Sequence, residues 1–210
     1  MEKRNWKHSV TLKQRMVLCL AAFFAAFALQ LALNGYQARA VQQVQDDQMG
    51  NFNAISRFQG GVESSISILE AYRWENGETE EMLEKLQAAC STSNAWLWRI
   101  RSNMDGLQNV SDEQWVLYGA VETTYGSYNT LLEELESYLS SGQEAKASQL
   151  YYNKVSVCGG YLSQYTMQLL KASILDAQTT YTEISELGER IALMQIVVVA
   201  LCVEIGRAHV

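Results

Sequence analysis

The 210-residue sequence contains no proline and only two histidines, four cysteines and 13 glycines. Because proline disrupts the interior of a helix, its absence over this length favours long uninterrupted helices. His8 and His209 lie near opposite ends of the chain, and neither has clustered cysteine or carboxylate neighbours in the sequence. The sequence therefore offers no basis for a metal site or a nucleophilic catalyst. It also lacks a glycine-rich phosphate loop, and we expect no cofactor.

Charge is distributed unevenly along the chain. Residues 1–15 contain five lysine and arginine residues and one acidic residue, a net charge of +4. Residues 35–190 contain ten lysine and arginine residues and twenty-one acidic residues, a net charge of −11. Nucleic acid would gain neither counterion release nor Coulomb attraction from so acidic a region. We therefore expect no nucleic-acid partner.

Two apolar stretches enclose the acidic region. Residues 16–33 have one polar interruption, Gln30, and as a helix they would extend about 27 Å, close to the roughly 30 Å of a hydrocarbon core. Residues 191–203 would cover only about 20 Å. The sequence predicts a transmembrane helix over 16–34 and a truncated one over 191–203, with the basic leader 1–15 in the cytoplasm.

A cleaved signal peptide is the alternative for the first stretch. Ala38-Arg39-Ala40 resembles a small-residue cleavage site and follows a basic leader. The apolar region is, however, longer than the apolar region of a signal peptide, and the possible cleavage site lies several residues beyond the end of this apolar region. An uncleaved anchor is the favoured interpretation.

The region 35–190 has apolar residues every three or four positions, which predicts four amphipathic helices. The helices are separated by Asn76-Gly77, Asp105-Gly106 and Ser140-Ser141-Gly142, and their starts are marked by Thr79 and by capping boxes at Ser111–Gln114 and Ser141–Glu144. The predicted fold is all-α: an antiparallel up-down-up-down four-helix bundle on a two-helix stalk, flanked by two transmembrane helices. A kink is expected at Gly159-Gly160 in the fourth helix.

The periodicity also predicts which side chains are buried. The candidates are, in the first helix, Val41, Val44, Phe52, Ile55, Val62, Ile66 and Leu69; in the second, Met82, Leu86, Ala89, Ser93, Trp96, Ile100 and Met104; in the third, Tyr118, Val121, Tyr125, Tyr128, Leu132, Leu135 and Leu139; and in the fourth, Leu150, Leu162, Tyr165, Leu169 and Leu187. Cys90 and Cys158 would lie at similar depth on diagonal helices. Their Cα atoms would then be too far apart for a disulfide, so two buried free thiols are expected.

The predicted stalk is polar, with Gln42-Gln43-Val44-Gln45-Asp46-Asp47 on one helix and Gln178-Thr179-Thr180 on the other. Two helices alone bury little surface, because each has only one neighbour. Pairing of two chains would bring four stalk helices together, and we therefore expect a homodimer.

The chain combines a basic leader, a first span running into Tyr36, a helical exterior and a fourth helix that enters the second span. In these features it resembles the sensor portion of bacterial two-component histidine kinases, especially membrane-bound kinases of clostridial type. The resemblance implies a multi-pass protein of the bacterial cytoplasmic membrane. It further implies a stimulus outside the cell and a cytoplasmic response regulator reached through the kinase part.

The phosphoacceptor histidine and the ATP-binding boxes of that family are absent from the sequence, so no residue here is expected to be catalytic. A methyl-accepting chemotaxis receptor with a four-helix-bundle ligand-binding domain has the same features and is the alternative. An anchored surface protein with a purely structural role is a third possibility.

The last seven residues, 204–210, resemble the translation of a sequencing adapter joined to a gene interrupted within its second span. We expect them to be an artefact and the chain to be a fragment. This interpretation removes Arg207 and His209 from any functional argument.

Ligand recognition is predicted at the concentrated cationic and aromatic side chains of the acidic exterior, which are Arg73, Trp98, Arg99 and Arg101. Arginine forks at a dimer seam would suit an anionic or amino-acid ligand. The competing interpretation is that each arginine pairs with one of the twenty-one acids and that each aromatic ring covers a neighbouring helix.

Overall fold

The computed structural model describes residues 12–72, 79–107 and 110–207. The elements are α1 (Leu12–Ala71), α2 (Thr79–Gly106), α3 (Asp112–Ser140), α4 (Glu144–Leu150), a π-helical segment (Tyr151–Val155) and α5 (Ser156–Arg207). The last three follow one another without a break and make up the fourth long helix. The predicted all-α class is confirmed, since the described ranges contain four long helices and no strand.

The N-terminus of α3 forms only half of its predicted capping box. The Gln114 amide donates to Ser111 Oγ over 3.3 Å, as expected of a serine cap. The Ser111 amide, however, donates to Asp176 Oδ2 of α5 over 3.2 Å, and Gln114 Oε1 has no hydrogen-bond partner. An acid on another helix therefore takes the position that the glutamine was predicted to fill.

The turn after α3 contradicts the second predicted capping box. Gly142 has a φ of 69°, and the amides of Gly142 and Gln143 donate to Leu139 and Tyr138, which is the bonding pattern of a Schellman motif. Ser141 Oγ donates back to the Ser137 carbonyl over 2.7 Å and so cannot cap the next helix. The left-handed glycine separates the serine from α4, which begins at Glu144 with no side-chain cap.

The fourth long helix continues through Gly159 and Gly160, and the departure from α-helical bonding lies earlier, at Tyr151–Val155. Gly159 lies where the side chains of Ile66 and Tyr128 approach the backbone of this helix closely. A Cβ atom at this position would lie 3.1 Å from Ile66 Cδ1 and 3.3 Å from Tyr128 Cε2, whereas one at Gly160 would meet nothing within 4 Å.

The chain divides into two compact units. Unit one comprises residues 1–43 and 181–210, and unit two comprises residues 44–180. Both boundaries fall in or beside the segments predicted as the stalk. Among the described residues, no helix is both apolar enough and long enough to cross a membrane.

Unit two contains a hydrophobic core to which all the helices contribute. All seven side chains predicted on α3 are buried, as are six of the seven on α2, where Trp96 is half-buried. On the fourth helix Leu150, Leu162 and Leu169 are buried, and Tyr165 packs partly buried against the core. Leu187, in unit one, is 52% exposed, contrary to the prediction.

On α1 the prediction is confirmed at Ile55, Val62 and Leu69, which are buried, while Val41, Val44 and Ile66 are half-buried. At the centre of the helix it was wrong by one position. Phe52 is 37% exposed, and Phe58, which was not predicted, is fully buried. Apart from the buried Ala54, the buried positions of α1 and of Tyr72 just beyond it are spaced alternately four and three residues apart: Asn51, Ile55, Phe58, Val62, Ser65, Leu69 and Tyr72. This seam includes two polar residues, so the spacing of apolar residues alone could not locate it.

Candidate functional site

Three of the four predicted ligand residues lie on exposed positions of α2. Trp98 is 68% exposed, and Arg99 and Arg101 are also exposed. Arg73 lies outside the described residues. Trp98 does not cover a neighbouring helix, as the competing interpretation required, so its ring remains available for an external contact.

Arg101 already has partners within the chain. Its Nη1 lies 3.5 Å from Glu122 Oε1 on α3, and the Tyr118 hydroxyl donates to the same carboxylate oxygen over 3.2 Å. Burial, followed by the negative charge of Glu122, raises the pKa of Tyr118 to about 12, so the phenol remains a donor. Pairing with an acid, the competing interpretation, therefore holds for Arg101.

Helix geometry separates the two described arginines. Successive residues are rotated by about 100°, so Arg99 and Arg101 lie about 160° apart around α2. Arg99 forms no ion pair with any part of the chain that the structure describes. The two side chains of one chain therefore leave α2 on nearly opposite sides, and their role in ligand binding stays a prediction.

A groove of about 370 Å³ lies between α2 and α3 and was not predicted from the sequence. Its lining combines apolar and polar side chains: Leu83, Leu86, Gln87, Cys90, Ser91, Asn94, Asn129, Leu132, Glu133 and Glu136. The polar members recur at helical spacing beside the buried seams, at 87, 91 and 94 on α2 and at 129, 133 and 136 on α3. That spacing was the available signal, but it is also typical of any solvated helix face.

The lining of the groove carries negative charge but no positive charge. Two carboxylates line it, and no lysine, arginine or histidine does. Gln87 Nε2 donates to Glu136 Oε1 over 2.8 Å, which ties α2 to α3 at one edge, while the buried Asn129 Oδ1 has no partner. The groove is therefore chemically suited to a hydrogen-bond donor rather than to an anion.

Cys90 and Cys158 are free thiols, as predicted, but each is half-buried rather than buried. Burial, followed by the charge of Glu136, raises the pKa of Cys90 to about 11, and burial also raises the pKa of Cys158. Cys158 Sγ donates to the Thr124 carbonyl over 3.7 Å. Because the thiolate is the reactive form, Cys90 is a poor nucleophile at neutral pH despite lining the groove.

The described residues contain no group of three or more His, Cys, Asp and Glu side chains that could hold a metal ion. His8 and His209 lie outside those residues. No protein-family model, curated protein or solved structure matches the chain.

Proposed function

We propose that this chain is the extracytoplasmic sensing and transmembrane signalling region of a bacterial sensor histidine kinase. The observation that carries the proposal is the continuity of two helices. α1 is unbroken from Leu12 to Ala71 and α5 from Ser156 to Arg207, so each joins an apolar terminal segment to the core of unit two. A helix is stiff enough to transmit a displacement along its axis.

Exposed apolar side chains on unit one support membrane insertion at residues 16–34 and 191–203. On α1, Val17, Leu20, Phe23, Phe24, Phe27, Leu29 and Leu31 are 51–67% exposed, and on α5, Leu193, Met194, Ile196, Val197 and Val199 are 49–65% exposed. So much outward-facing apolar surface suits hydrocarbon better than water. In this proposal the acidic residues 35–190 lie outside the cytoplasmic membrane of a bacterium, and the leader 1–15 lies inside.

The same proposal includes an antiparallel up-down-up-down four-helix bundle. The contacts between neighbouring helices indicate that these helices run in opposite directions, because residue numbers rise along one helix as they fall along the other. Gly50 contacts Asn103 and Gly61 contacts Ser93 between α1 and α2; Gln87 contacts Glu136 and Arg101 contacts Glu122 between α2 and α3; Ser111 contacts Asp176 and Thr124 contacts Cys158 between the N-terminal half of α3 and α5. This order is typical of up-and-down connections between neighbouring helices.

A homodimer provides the signalling geometry. Met49 and Phe52 on α1 and Ile174 and Leu175 on α5 are 37–59% exposed and lie near the α2–α3 connection of unit two. We infer that a second copy covers them, because dimerisation would remove this apolar surface from water. Replacing Met49 and Leu175 with glutamate should convert the dimer to monomer in light scattering, whereas the same change at the exposed Ser64 and Lys171 should not.

An unidentified external stimulus would bias two packings of the bundle and shift α5 by roughly 1–2 Å. The displacement would reach a cytoplasmic kinase module that phosphorylates a response regulator. A methyl-accepting chemotaxis receptor would use the same displacement and have no activity of its own. If the parent protein is longer, the sequence beyond its second span would separate the two: ATPase boxes would indicate a kinase, and a long coiled coil without them would indicate chemotaxis.

The biochemical test uses the complete gene product in lipid nanodiscs with radiolabelled ATP. A kinase should acquire phosphate that is lost in acid and retained in base, which is the behaviour of phosphohistidine. An intact, folded product that acquires no such label would contradict the kinase assignment. A matched variant lacking the phosphoacceptor histidine would show whether any label is specific.

A further inference from the structure

Among the residues of unit two that the structure describes, six polar side chains are buried in the core, and they fall into two groups. Ser65, Ser93 and Thr166 each donate to a carbonyl of the preceding helical turn, and Ser65 also bonds the Tyr128 hydroxyl. Asn51, Gln114 and Ser173 are respectively 0%, 1% and 4% exposed, yet both polar atoms of the Asn51 amide, Gln114 Oε1 and Ser173 Oγ bond no protein group.

The three side chains that carry these unpaired atoms lie at one end of unit two. Gln114 is one turn into α3 from Ser111, whose amide contacts Asp176, and Ser173 is one turn before Asp176 on α5. Asn51 follows Gly50, which faces Asn103 of α2, one turn before that helix ends. The polar groups on α1, α3 and α5 therefore lie within about one turn of the level of the α2–α3 connection.

An unpaired buried polar group costs roughly as much free energy as a lost hydrogen bond. Three of them at one level are explained most simply by a shared binding partner. The Asn51 amide offers donors and an acceptor, Gln114 Oε1 accepts, and the Ser173 hydroxyl can do either. Because none of the three is charged, a small neutral molecule with both donors and acceptors fits the layer, and water meets this description with two to four partners.

We propose that Asn51, Gln114 and Ser173 form an internal binding site for ordered water, here called the polar layer. Each occupies a seam position that carries an apolar residue one turn further into the core: Ile55, Tyr118 and Leu169. The layer thus interrupts the apolar packing of the core at a single level. Local opening should occur more readily here than between the layer and the far end of the unit.

The test compares isosteric apolar variants of the full chain in detergent, with thermal unfolding followed by circular dichroism. Leucine has the branched shape of asparagine and methionine the linear shape of glutamine, so Asn51→Leu, Gln114→Met and Ser173→Ala remove polarity with little change of shape. If water bridges the three groups, each single variant removes one hydrogen-bond partner of the water and should raise the melting temperature only slightly. The triple variant removes the requirement for water and should raise the melting temperature by more than the three single shifts combined.

A melting-temperature shift of the triple variant equal to the sum of the three single shifts would overturn the proposal, because side chains that act independently do not share a bound water. A triple variant that melts below the parent would also overturn it, since the groups would then be paired with protein. Ser65→Ala is the matched control: its hydroxyl is paired, so its loss should lower the melting temperature. If the triple variant fails to fold, nuclear Overhauser contacts from water to the Asn51 side-chain amide of the parent decide the question. Their presence supports the site and their absence overturns it.

Discussion

The adjacent glycines of α5 provide a direct test of how closely the helices pack. A Cβ atom added at Gly159 would lie 3.1 and 3.2 Å from two Ile66 carbons and 3.3 Å from Tyr128, whereas at the exposed Gly160 it would meet nothing within 4 Å. Both substitutions by alanine remove a flexible residue from a helix and gain about 1 kcal/mol of stability. Only Gly159→Ala also overpacks the core, at a cost of roughly 1–3 kcal/mol.

We therefore expect Gly160→Ala to stabilise the protein by about 1 kcal/mol and Gly159→Ala to be neutral or to destabilise it by up to about 2 kcal/mol. A difference of roughly 1–3 kcal/mol corresponds to roughly 2–12 °C in melting temperature for a protein of this size. Thermal unfolding of both full-length variants by circular dichroism at 222 nm would measure it. Equal melting temperatures would refute the close approach of α5 to α1 and α3.

Three further predictions follow from the described contacts. The raised pKa of Cys90, about 11 against an ordinary 9.0, should make its alkylation at pH 8 about 100-fold slower than that of an exposed thiol, and labelling followed by mass spectrometry before and after urea unfolding would detect it. Tyr128→Phe removes a 3.0 Å hydrogen bond to the buried Ser65 and should cost about 1 kcal/mol in denaturant unfolding; a neutral result would contradict that bond. Arg101→Ala breaks an exposed pair with Glu122 and should change stability by less than about 1 kcal/mol, and a larger loss would assign Arg101 a structural role.

The buried faces of α2 and α3 could be predicted because one strict pattern of apolar residues runs along each helix. The buried side chains from Tyr118 to Leu139 recur every three or four positions without a slip. On α1, the apolar Phe52 was a stronger candidate for a buried position than the polar Asn51, so the pattern favoured the wrong residue. Tertiary packing buried the asparagine instead, and hydrophobicity alone carries no signal for such a position.

Local capping signals were reliable only where no other interaction competed. Ser111 caps α3 as predicted, but Asp176, 65 residues away in the sequence, replaced Gln114 as the acceptor for its amide. At Ser141, the left-handed Gly142 ended α3 and removed the serine from the start of α4. Both departures depend on contacts or backbone conformations that a four-residue motif does not encode.

The candidate site was the least predictable part. The Arg101 pair with Glu122 and the groove beside Cys90 both depend on the register between α2 and α3, which spacing within one helix does not specify. The same is true of the polar layer, whose members come from α1, α3 and α5. Unpaired polar atoms become visible only when the helices are assembled.

The central claim is that residues 35–190 lie outside the cytoplasmic membrane between two spans. Alkaline phosphatase, which is active only outside the cytoplasm, and green fluorescent protein, which fluoresces inside it, should each be fused at residue 142 and at the N-terminus in a bacterial host. We predict phosphatase activity without fluorescence at residue 142 and fluorescence without phosphatase activity at the N-terminus. Fluorescence without phosphatase activity at residue 142, from a fusion of full length on immunoblots, would contradict the account.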